Sequence, residues 1–368
     1  MKFVCSKDSI LNEIIYSMDF TSQRNSLSVT SNVYLETFDD RLVIRATDQK
    51  VGFSTEIAVQ TLEKGKTMVY CDKFLNILRS LPDSEIQFTA QSGVFAIKPV
   101  NQTIDFKLRT INAEEFPTME SIGDNSYFTV SQRSFSDMAN QTIFAISEDE
   151  TRYFLCGLYL ERTATGMNMV GTDGRRLSIV QRKFDEDIPA FSPVIIPPKF
   201  FAVLKKLSTE EGSLNLCITE NLIFAQIANR LFYSTLIKGQ YPNYQRVIPE
   251  SQNYCSIMRI QDMLDALRRV SLLIENKAKR IYLDISEAGV LLTSDENEVG
   301  EAKEIIPCKY EGPENKVALN FTYLINPLKA MEGEYFSINF SEPTKAMTIK
   351  AESERDYYHV IMPMQPNA

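Results

Sequence analysis

Residues 158–173 have the sequence LYLERTATGMNMVGTD, and this stretch decides the fold because two counterparts of it occur elsewhere in the chain. Residues 33–48 have the sequence VYLETFDDRLVIRATD, and residues 281–295 have the sequence IYLDISEAGVLLTSD. Two markers stand at matching places in the three copies: Tyr34 and Asp48, Tyr159 and Asp173, Tyr282 and Asp295. Successive tyrosines are 125 and 123 residues apart and successive aspartates 125 and 122, so both markers keep one register. This internal repetition predicts three copies of one domain.

Each copy combines strand-like and helix-like segments in the same order. Alternating apolar residues within the three stretches predict pairs of strands joined by a turn. Behind each pair, apolar residues recur at helical spacing: Phe74, Leu75, Leu78 and Leu81; Phe200, Phe201, Leu204 and Leu207; Leu324, Leu328 and Met331. Prolines at matching positions, Pro117 and Pro242, favour linkers between the copies. The sequence therefore predicts an α+β fold of three repeated domains, at residues 1–124, 125–250 and 251–368.

The composition is that of an ordinary globular protein. Of the 368 residues, 44% are hydrophobic and 24% are charged, and the formal net charge is −9. This acidity argues against a protein coated with a DNA-binding surface, but it leaves room for a local basic patch. No apolar run approaches the length of about 20 residues that spans a bilayer. The N-terminus reaches Lys7 and Asp8 before a signal-type apolar core could form, so we expect no membrane association and a cytoplasmic protein.

The sequence offers no metal site, and we expect no cofactor and no catalytic residues. The six cysteines lack the close pairing that metal sites and disulfide frameworks require: Cys5, Cys71, Cys156, Cys217, Cys255 and Cys308. The single histidine, His359, cannot supply a multi-histidine site. Carboxylate chemistry stays possible on this evidence. The repeated aspartates of the three copies are candidates for it, but their recurrence favours turn residues, because an active site is usually confined to one copy.

Three further motifs, in this order on a threefold repeat, resemble the bacterial DNA polymerase III beta subunit family. They are residues 172–177 (TDGRRL), 241–249 (YPNYQRVIP) and 360–364 (VIMPM). The resemblance implies domains of two helices packed on two antiparallel sheets, and two chains closed head to tail into a ring. It implies a non-catalytic processivity factor that slides on duplex DNA without sequence preference. The implied partners are the polymerase III catalytic subunit, the clamp loader, and other polymerases and repair proteins that carry clamp-binding peptides.

The resemblance also implies which residues contact duplex DNA, since helices line the hole of the family's ring. The candidates are Arg24, Lys73, Tyr153, Phe154, Lys199 and Lys205. The alternative for the lysines is the ordinary solvated face of a helix, and for the aromatic pair it is the core. The chain departs from the family pattern at residues 148–150, where three acidic residues replace a polar amide beside the aromatic pair.

A groove for partner peptides is expected between the second and third domains. The matching positions are Leu155, Thr172, Gly174, Arg175, Leu177, Pro242, Arg246, Val247, Asn320, Tyr323, Val360, Met362, Pro363 and Met364. Taken singly these aliphatic residues would be assigned to a core, but methionines suit a groove that accepts many partners. Arg175 stands where the family usually has histidine, and Ala278 replaces an aromatic residue of some members.

The resemblance places a dimer interface at opposite ends of the chain. Phe106 and Leu108 of the first domain should meet Leu272 and Leu273 of the partner's third domain. The alternative is that these apolar residues are ordinary core. Acidic residues near Leu272 and Leu273 could form ion pairs across the interface with Lys107 or Lys73: Glu298, Glu301 and Glu304.

Two other functions compete with the ring, a three-domain carboxylate enzyme and a structural or adhesive array of repeats. The apolar residues 360–364 disfavour the array.

Overall fold

A computed structural model describes residues 1–22, 28–184, 188–209, 211–275, 279–353 and 356–365. Within these residues the chain forms six α-helices, two in each predicted repeat: α1 (Lys7–Ser17), α2 (Cys71–Ser80), α3 (Gln132–Asn140), α4 (Pro198–Leu207), α5 (Ile260–Val270) and α6 (Thr322–Ala330). The apolar faces predicted for α2, α4 and α6 are buried, as the helical spacing indicated.

The strands of the first predicted repeat are β1 (Lys2–Ser6), β2 (Asn32–Thr37), β3 (Arg41–Thr47), β4 (Val51–Ala58), β5 (Gln60–Glu63), β6 (Gly65–Tyr70), β7 (Glu85–Gln91), β8 (Val94–Pro99) and β9 (Phe106–Ile111). Those of the second are β10 (Phe128–Ser131), β11 (Leu158–Arg162), β12 (Gly166–Thr172), β13 (Arg176–Lys183), β14 (Val194–Ile196), β15 (Ser213–Ile218), β16 (Leu222–Ile227) and β17 (Arg230–Thr235). Those of the third are β18 (Tyr254–Arg259), β19 (Arg280–Ser286), β20 (Gly289–Ser294), β21 (Lys303–Ile306), β22 (Asn315–Asn320), β23 (Tyr335–Phe340), β24 (Met347–Ala351) and β25 (Tyr357–Ile361).

The three tyrosine-bearing stretches form the same antiparallel pair of strands. Tyr34 of β2 lies opposite Arg45, Tyr159 of β11 opposite Val170, and Tyr282 of β19 opposite Thr293. Buried residues alternate with partly buried ones in β19, with Ile281, Leu283 and Ile285 inside, as the two-residue period of a strand requires. The predicted hairpins are confirmed.

The repeated aspartates are turn residues in the first two copies. Asp48 Oδ1 accepts hydrogen bonds from the backbone N–H groups of Lys50 (2.9 Å) and Val51 (2.9 Å). Asp173 Oδ1 accepts the equivalent bonds from Arg175 (2.8 Å) and Arg176 (3.0 Å). A carboxylate that satisfies the backbone of its own turn is what the structural interpretation of the repeat predicted.

The chain divides into two compact units, and the division cuts through the second predicted repeat. The first unit comprises residues 1–133 and 199–236, and its described strands form one antiparallel sheet. The strand order is β10-β15-β16-β17-β4-β3-β2-β6-β9-β8-β7-β1-β5. Strand β17 of the second repeat pairs with β4 of the first, placing Tyr233 opposite Gly52. A Cβ at Gly52 would overlap the Tyr233 ring, so only glycine permits this approach.

The second unit comprises residues 134–198 and 237–368. Its described strands form two antiparallel sheets, of order β14-β11-β12-β13-β25-β24-β23-β18 and β21-β20-β19-β22. Strand β13 of the second repeat pairs with β25 of the third, placing Leu177 opposite Val360. The predicted repeats are thus joined by main-chain pairing, and the limits 1–124, 125–250 and 251–368 stay a prediction.

A buried ion pair joins the first and second repeats inside the first unit. The carboxylate of Glu13 is buried on α1, and Arg230 of β17 donates to both of its oxygens at 2.6–3.1 Å. The guanidinium also lies 4.9 Å from the centre of the Tyr16 ring. This hydrogen bonding raises the pKa of Arg230 against the effect of burial. Such a pair is costly to break from one side, because the remaining charge stays buried.

We predict that Arg230→Met lowers the free energy of unfolding by about 3 kcal/mol or more, since it leaves the Glu13 carboxylate buried without its cation. The double variant Glu13→Met/Arg230→Met should recover much of this loss. Urea denaturation followed by circular dichroism measures both. The matched control is Lys64→Met, which breaks the exposed pair with Asp39 and should cost less than about 1 kcal/mol. Equal losses for the single and double variants at Arg230 would contradict the prediction.

Candidate functional site

A cavity of about 270 Å³ lies within the second unit, between the end of β12, the start of β13, the segment after Tyr241 and the end of β25. Nine predicted groove residues line it: Leu155, Thr172, Gly174, Arg175, Leu177, Pro242, Val247, Val360 and Met362. Three further lining residues were not predicted: Arg176, Asn243 and Tyr244. Five predicted residues lie outside the lining: Arg246, Asn320, Tyr323, Pro363 and Met364.

Strand pairing builds the floor of this groove. Leu177 and Val360 are cross-strand neighbours on β13 and β25, and both are almost fully buried. The turn before β13 places Gly174 on the rim with φ of 86°, a conformation that favours glycine. A Cβ there would lie 3.1 Å from Arg152 Nη1, so the rim has little space for a side chain.

The chain end forms one wall. After β25, Met362 N donates to Arg175 O (3.0 Å), and Met364 N donates to Ala318 O (2.8 Å). The segment is therefore fixed at two points, on either side of Pro363. The side chain of Met362 stays 43% exposed at the groove mouth. An exposed thioether at an apolar cavity can adapt to different occupants.

Arg176 lies beneath the groove and was missed from the sequence. Its Nε donates to Asp173 Oδ2 (3.1 Å), its Nη2 donates to Phe144 O, and its guanidinium lies 4.6 Å from the centre of the Tyr323 ring. The side chain is only 10% exposed, and Nη1 has no hydrogen-bond partner among the described residues. Tyr323 therefore supports Arg176 and does not line the cavity. The doubled arginine of TDGRRL was the available signal, but local sequence does not tell which arginine points inward.

Aromatic side chains form the back wall. The rings of Tyr159 and Tyr241 are stacked with centres 4.6 Å apart. The Tyr244 hydroxyl donates to Glu161, which also accepts a bond from Asn168 Nδ2 at 2.9 Å. Burial, followed by the charge of Glu161, raises the pKa of Tyr159 to about 12. These groups stay neutral phenols, so the wall supplies shape and no acid–base chemistry.

The remaining groove candidates are engaged elsewhere or exposed. Asn320 Oδ1 accepts bonds from Thr322 N (3.0 Å) and Thr322 Oγ1 (2.8 Å), which satisfies the start of α6. Arg246 is exposed in the turn that carries Val247. Ala278 lies outside the described residues. The groove roles of Asn320, Arg246 and Met364 stay predictions.

The lysines predicted to contact DNA differ in their surroundings. Lys199 donates to Asp48 Oδ2 at 2.7 Å, whereas Lys205 is exposed. Burial alone would raise the pKa of Asp48, but hydrogen bonds from Lys199 and two backbone amides lower it. Lys73 is 63% exposed and lies 3.5 Å from Asp72. Arg24 lies outside the described residues.

The aromatic pair predicted to contact DNA precedes Leu155 directly. Tyr153 is 54% exposed, and Phe154 packs partly on the hydrophobic cluster behind the groove. Asp149, in the acidic stretch, accepts bonds from Thr151 N (3.0 Å) and Arg152 Nε (3.1 Å). The Thr151 hydroxyl, then its amide and Arg152, hold the pKa of Asp149 below its ordinary value. Part of the negative charge of residues 148–150 is thus neutralised within the loop.

Of the predicted interface residues, Phe106 and Leu108 lie on β9, whereas Leu272 and Leu273 lie in a short helical turn after α5. Phe106 and Leu108 on β9 are half-buried against the core of the first repeat. Leu272 is 80% exposed. Two apolar residues later in the third repeat are exposed too, Val299 (82%) and Ile305 (58%). Two of the acids expected to face the partner are paired within the chain: Glu304 with Arg269 (2.8 Å) and Glu301 with Lys303 (2.8 Å).

Comparison with known families agrees with this geometry along the whole chain. Residues 1–120 match the N-terminal domain of the DNA polymerase III beta subunit, residues 129–243 its central domain, and residues 245–365 its C-terminal domain. The chain belongs to the DNA polymerase III beta subunit family. The predicted resemblance and the fold of three clamp domains are confirmed. As a clamp the chain is a processivity factor of DNA polymerase and not an enzyme, which removes the carboxylate-enzyme alternative.

Individual clamps align with the chain over its full length. The beta sliding clamp of Treponema pallidum is 38% identical over 99% of this chain and all of its own length. That of Escherichia coli K12 is 26% identical over 99% of this chain and all of its own length. The sliding clamp of Pseudomonas aeruginosa, solved bound to griselimycin, has a TM-score of 0.94 and 26% identity, with full coverage of both chains.

Membrane-spanning helices and clustered metal ligands are both absent from the described residues. No helix there combines the length and the apolar character that crossing a membrane requires. No group of three or more histidine, cysteine, aspartate or glutamate side chains there is arranged to hold a metal ion.

The single histidine is buried on the face of β25 opposite the groove. His359 is fully buried, its ring centre lies 5.6 Å from that of Phe144, and neither ring nitrogen has a partner among the described residues. Burial, followed by the charge of Arg176, lowers the pKa of His359 to about 3. An unfolded histidine titrates near 6.5, so the folded state loses stability as the pH falls below about 6.5 toward 3.

We predict that His359 costs the folded protein about 2 kcal/mol at pH 5 relative to pH 8, because the unfolded chain binds a proton that the folded chain excludes. Phenylalanine has no proton to gain, so His359→Phe should show a correspondingly weaker fall in stability. Urea denaturation of both proteins at pH 8 and pH 5 measures the difference. The carboxylates are common to both proteins and cancel. Identical falls in the two proteins would contradict the burial of a neutral imidazole.

Proposed function

We propose that two copies of the chain close head to tail into a ring around duplex DNA, and that the groove of each copy holds polymerases and other DNA-processing proteins there. The observation that carries this proposal is the repetition of one strand-pairing arrangement. The chain contains two junctions between repeats, β4 with β17 and β13 with β25, which we call seams. Three repeats require a third seam, and its two strands lie at the two ends of the repeat series.

The strands that correspond to a third seam have open edges. In each seam the fourth strand of one repeat pairs with the last strand of the next. The counterparts are β21 and β9. Among the described residues β21 pairs only with β20. Strand β9 pairs with β6 only through Thr110 and Ile111, so the edge of Phe106 to Arg109 is unpaired on that side. Open edges invite pairing with another chain, and a closed ring removes them.

The register of the third seam follows from the other two. In each repeat, the residue before the repeated aspartate lies opposite the first residue of the fourth strand's pairing. Thr47 lies opposite Gly52 and Thr172 opposite Leu177. In the third repeat Ser294 donates its backbone N–H to Ala302 O, so Ala302 is the equivalent residue. The last strand of each repeat is aligned by an antiparallel bridge that it or the residues after it form, at Ile111, Ile237 and Met364. The residues four positions before these bridges are Lys107, Tyr233 and Val360, respectively. The pairs Gly52–Tyr233 and Leu177–Val360 therefore correspond to Ala302 with Lys107 of the partner subunit.

The same correspondence gives Lys73 an interface role. Lys73, Lys199 and Tyr323 each directly precede the first residue of the apolar face predicted for the second helix of their repeat, which is Phe74, Phe200 or Leu324. Lys199 binds the repeated aspartate Asp48, and Tyr323 supports the arginine that binds Asp173. By this correspondence we expect Lys73 to lie near Asp295 of the partner subunit. Of the predicted lysines, Lys205 is then the best placed for sequence-independent phosphate contacts, which are strongly salt-dependent.

We predict that the variant Lys107→Cys/Ala302→Cys forms a covalent dimer under mild oxidation. Directly opposed residues of antiparallel strands have Cβ atoms about 5 Å apart, within reach of a disulfide. Non-reducing gel electrophoresis detects the product. The control Lys107→Cys/Glu304→Cys shifts one thiol two residues along the same face and should cross-link poorly, as should either single variant. Equal cross-linking at both positions, or a monomeric mass in solution, would contradict the register.

The covalent ring also tests encirclement. When the Lys107→Cys/Ala302→Cys protein is oxidised after loading on nicked circular DNA, it should stay bound at high salt until the DNA is linearised. Salt removes phosphate contacts but not a closed link around DNA. Loss from circular DNA at high salt with the disulfide intact would refute encirclement.

The groove suits a short extended segment with a glutamine, then a leucine, then a terminal aromatic residue or leucine. Apolar anchors against Leu177, Val247 and Val360 supply most of the binding energy in such a groove. We expect micromolar affinity, a binding free energy of about −8 kcal/mol, which allows exchange between partners.

The proposed partners are the polymerase III catalytic subunit, the clamp loader, and other polymerases and repair proteins. The proposed location is the cytoplasm, where the family works on bacterial DNA.

We predict that Val247→Asp weakens binding of the peptide acetyl-Gln-Leu-Ala-Leu-Phe-amide at least about tenfold, because a carboxylate would enter an apolar groove. Val247 is 51% exposed, so the substitution should leave the fold intact. Fluorescence anisotropy of the labelled peptide measures the affinity. The control is Gln245→Asp, which adds the same charge to an exposed position of the same turn outside the cavity. Similar losses for both variants would argue against the groove as the peptide site.

A further inference from the structure

The predicted DNA contact and the groove share one short segment. Residues 150–155 form a tight helical turn that begins beside Asp149 and ends at Leu155 in the groove lining. Arg152 interrupts this turn with non-helical dihedral angles (φ −108°, ψ 50°). Tyr153, a residue that is 54% exposed, follows directly. The two sites are therefore adjacent in the chain, because Phe154 directly precedes Leu155.

Arg152 fastens this segment to the groove rim. Its Nη1 donates to Asp173 O (2.9 Å), in the turn that carries Gly174 and Arg175. Its Nε donates to Asp149 Oδ2 (3.1 Å), and its Nη2 reaches Ser147 Oγ (3.4 Å). One planar guanidinium thus holds the start of the segment and the rim in a single arrangement, which a lysine could reproduce only in part.

A second contact joins the aromatic pair to the segment that precedes Tyr241. A Cβ at Gly239 would lie 3.1 Å from Phe154 Cβ and 3.4 Å from Tyr153 Cε2, so the two side chains pack on the backbone there. Gly239 leads directly to Tyr241 and Pro242 of the groove wall. Tyr153 and Phe154 are thereby in contact with the segment that leads into the groove wall.

We infer that Arg152 is a positioning residue that couples the peptide groove to Tyr153, so that an occupied groove fixes the aromatic pair in the orientation it presents to duplex DNA. A peptide on Leu155, Gly174 and Arg175 immobilises both sides of the Arg152 link. Tyr153 lies between those fixed points and loses its freedom with them. Coupling between two ligands is reciprocal, so a bound duplex strengthens peptide binding by the same factor. The inference rests on the proposed peptide-binding function.

The chain contains no tryptophan, so Tyr153→Trp gives a single reporter at the aromatic pair. Unlabelled acetyl-Gln-Leu-Ala-Leu-Phe-amide is titrated against this protein while tryptophan emission is recorded, and anisotropy of the labelled peptide gives the affinity separately. We expect the emission to change with the same midpoint as binding. The control reporter, Tyr254→Trp on the edge strand β18, should bind the peptide without a change in emission.

The deciding comparison is Arg152→Gln/Tyr153→Trp. We expect peptide affinity within about threefold of the parent, since Arg152 does not line the cavity, and an emission change reduced at least severalfold. Arg152→Lys/Tyr153→Trp should restore part of the response through one bond to Asp173 O. Unchanged emission responses in the glutamine variant at equal affinity would overturn the coupling, because the peptide would then contact the introduced tryptophan directly. A flat emission in the parent despite binding would overturn it too, whereas absence of peptide binding in every protein would refute the proposed groove itself.

Discussion

The pairing of antiparallel strands across the seams is the interaction on which the rest of the molecule depends. The last strand of a repeat would otherwise expose a row of backbone donors and acceptors, and each such group costs free energy if it is buried without a partner. Within the chain, β17 and β25 satisfy theirs on β4 and β13. The same rule leaves β9 and β21 with edges that a second copy can fill. The head-to-tail closure that we propose would follow from how each repeat ends.

The seam also explains where the groove lies. At the first seam the Tyr233 ring packs over Gly52, and the neighbouring residues Phe224 and Cys217 complete a small apolar cluster. At the second seam the equivalent positions hold Leu177 and Val360, which form the floor of an open cavity. The backbone arrangement is shared, so the difference between a packed junction and a binding site arises from side chains. In the function that we propose, partner binding is added to a structural joint, as sites are commonly grafted onto a common scaffold.

The features of the fold and the groove that the sequence predicts are those that depend on residues close together in the chain. The hairpins and the faces of α2, α4 and α6 follow from two-residue and helical periodicity, and the repeat supplied their order. The core of the groove followed from motif resemblance, including Leu177 and Val360. The inward position of Arg176 and the bond between Lys199 and Asp48 were not predictable, because both depend on contacts between distant parts of the chain. For the same reason, the periodicity of single segments does not predict that β17 pairs with β4 and β25 with β13 across the predicted domain limits.

The net charge of the chain is consistent with a ring that holds DNA by enclosure and not by electrostatic attraction. A protein of net charge −9 cannot hold a polyanion by bulk attraction. Several of its cations are also committed to carboxylates within the fold, among them Lys199 to Asp48 and Lys206 to Asp19. Enclosure removes the need for such attraction, since a closed ring stays on its duplex without a strong contact. Weak phosphate contacts then favour sliding, because each one that breaks costs little. The energetic demands of holding the duplex and of choosing a partner are thereby separated, the first placed on seams between repeats and the second on one groove.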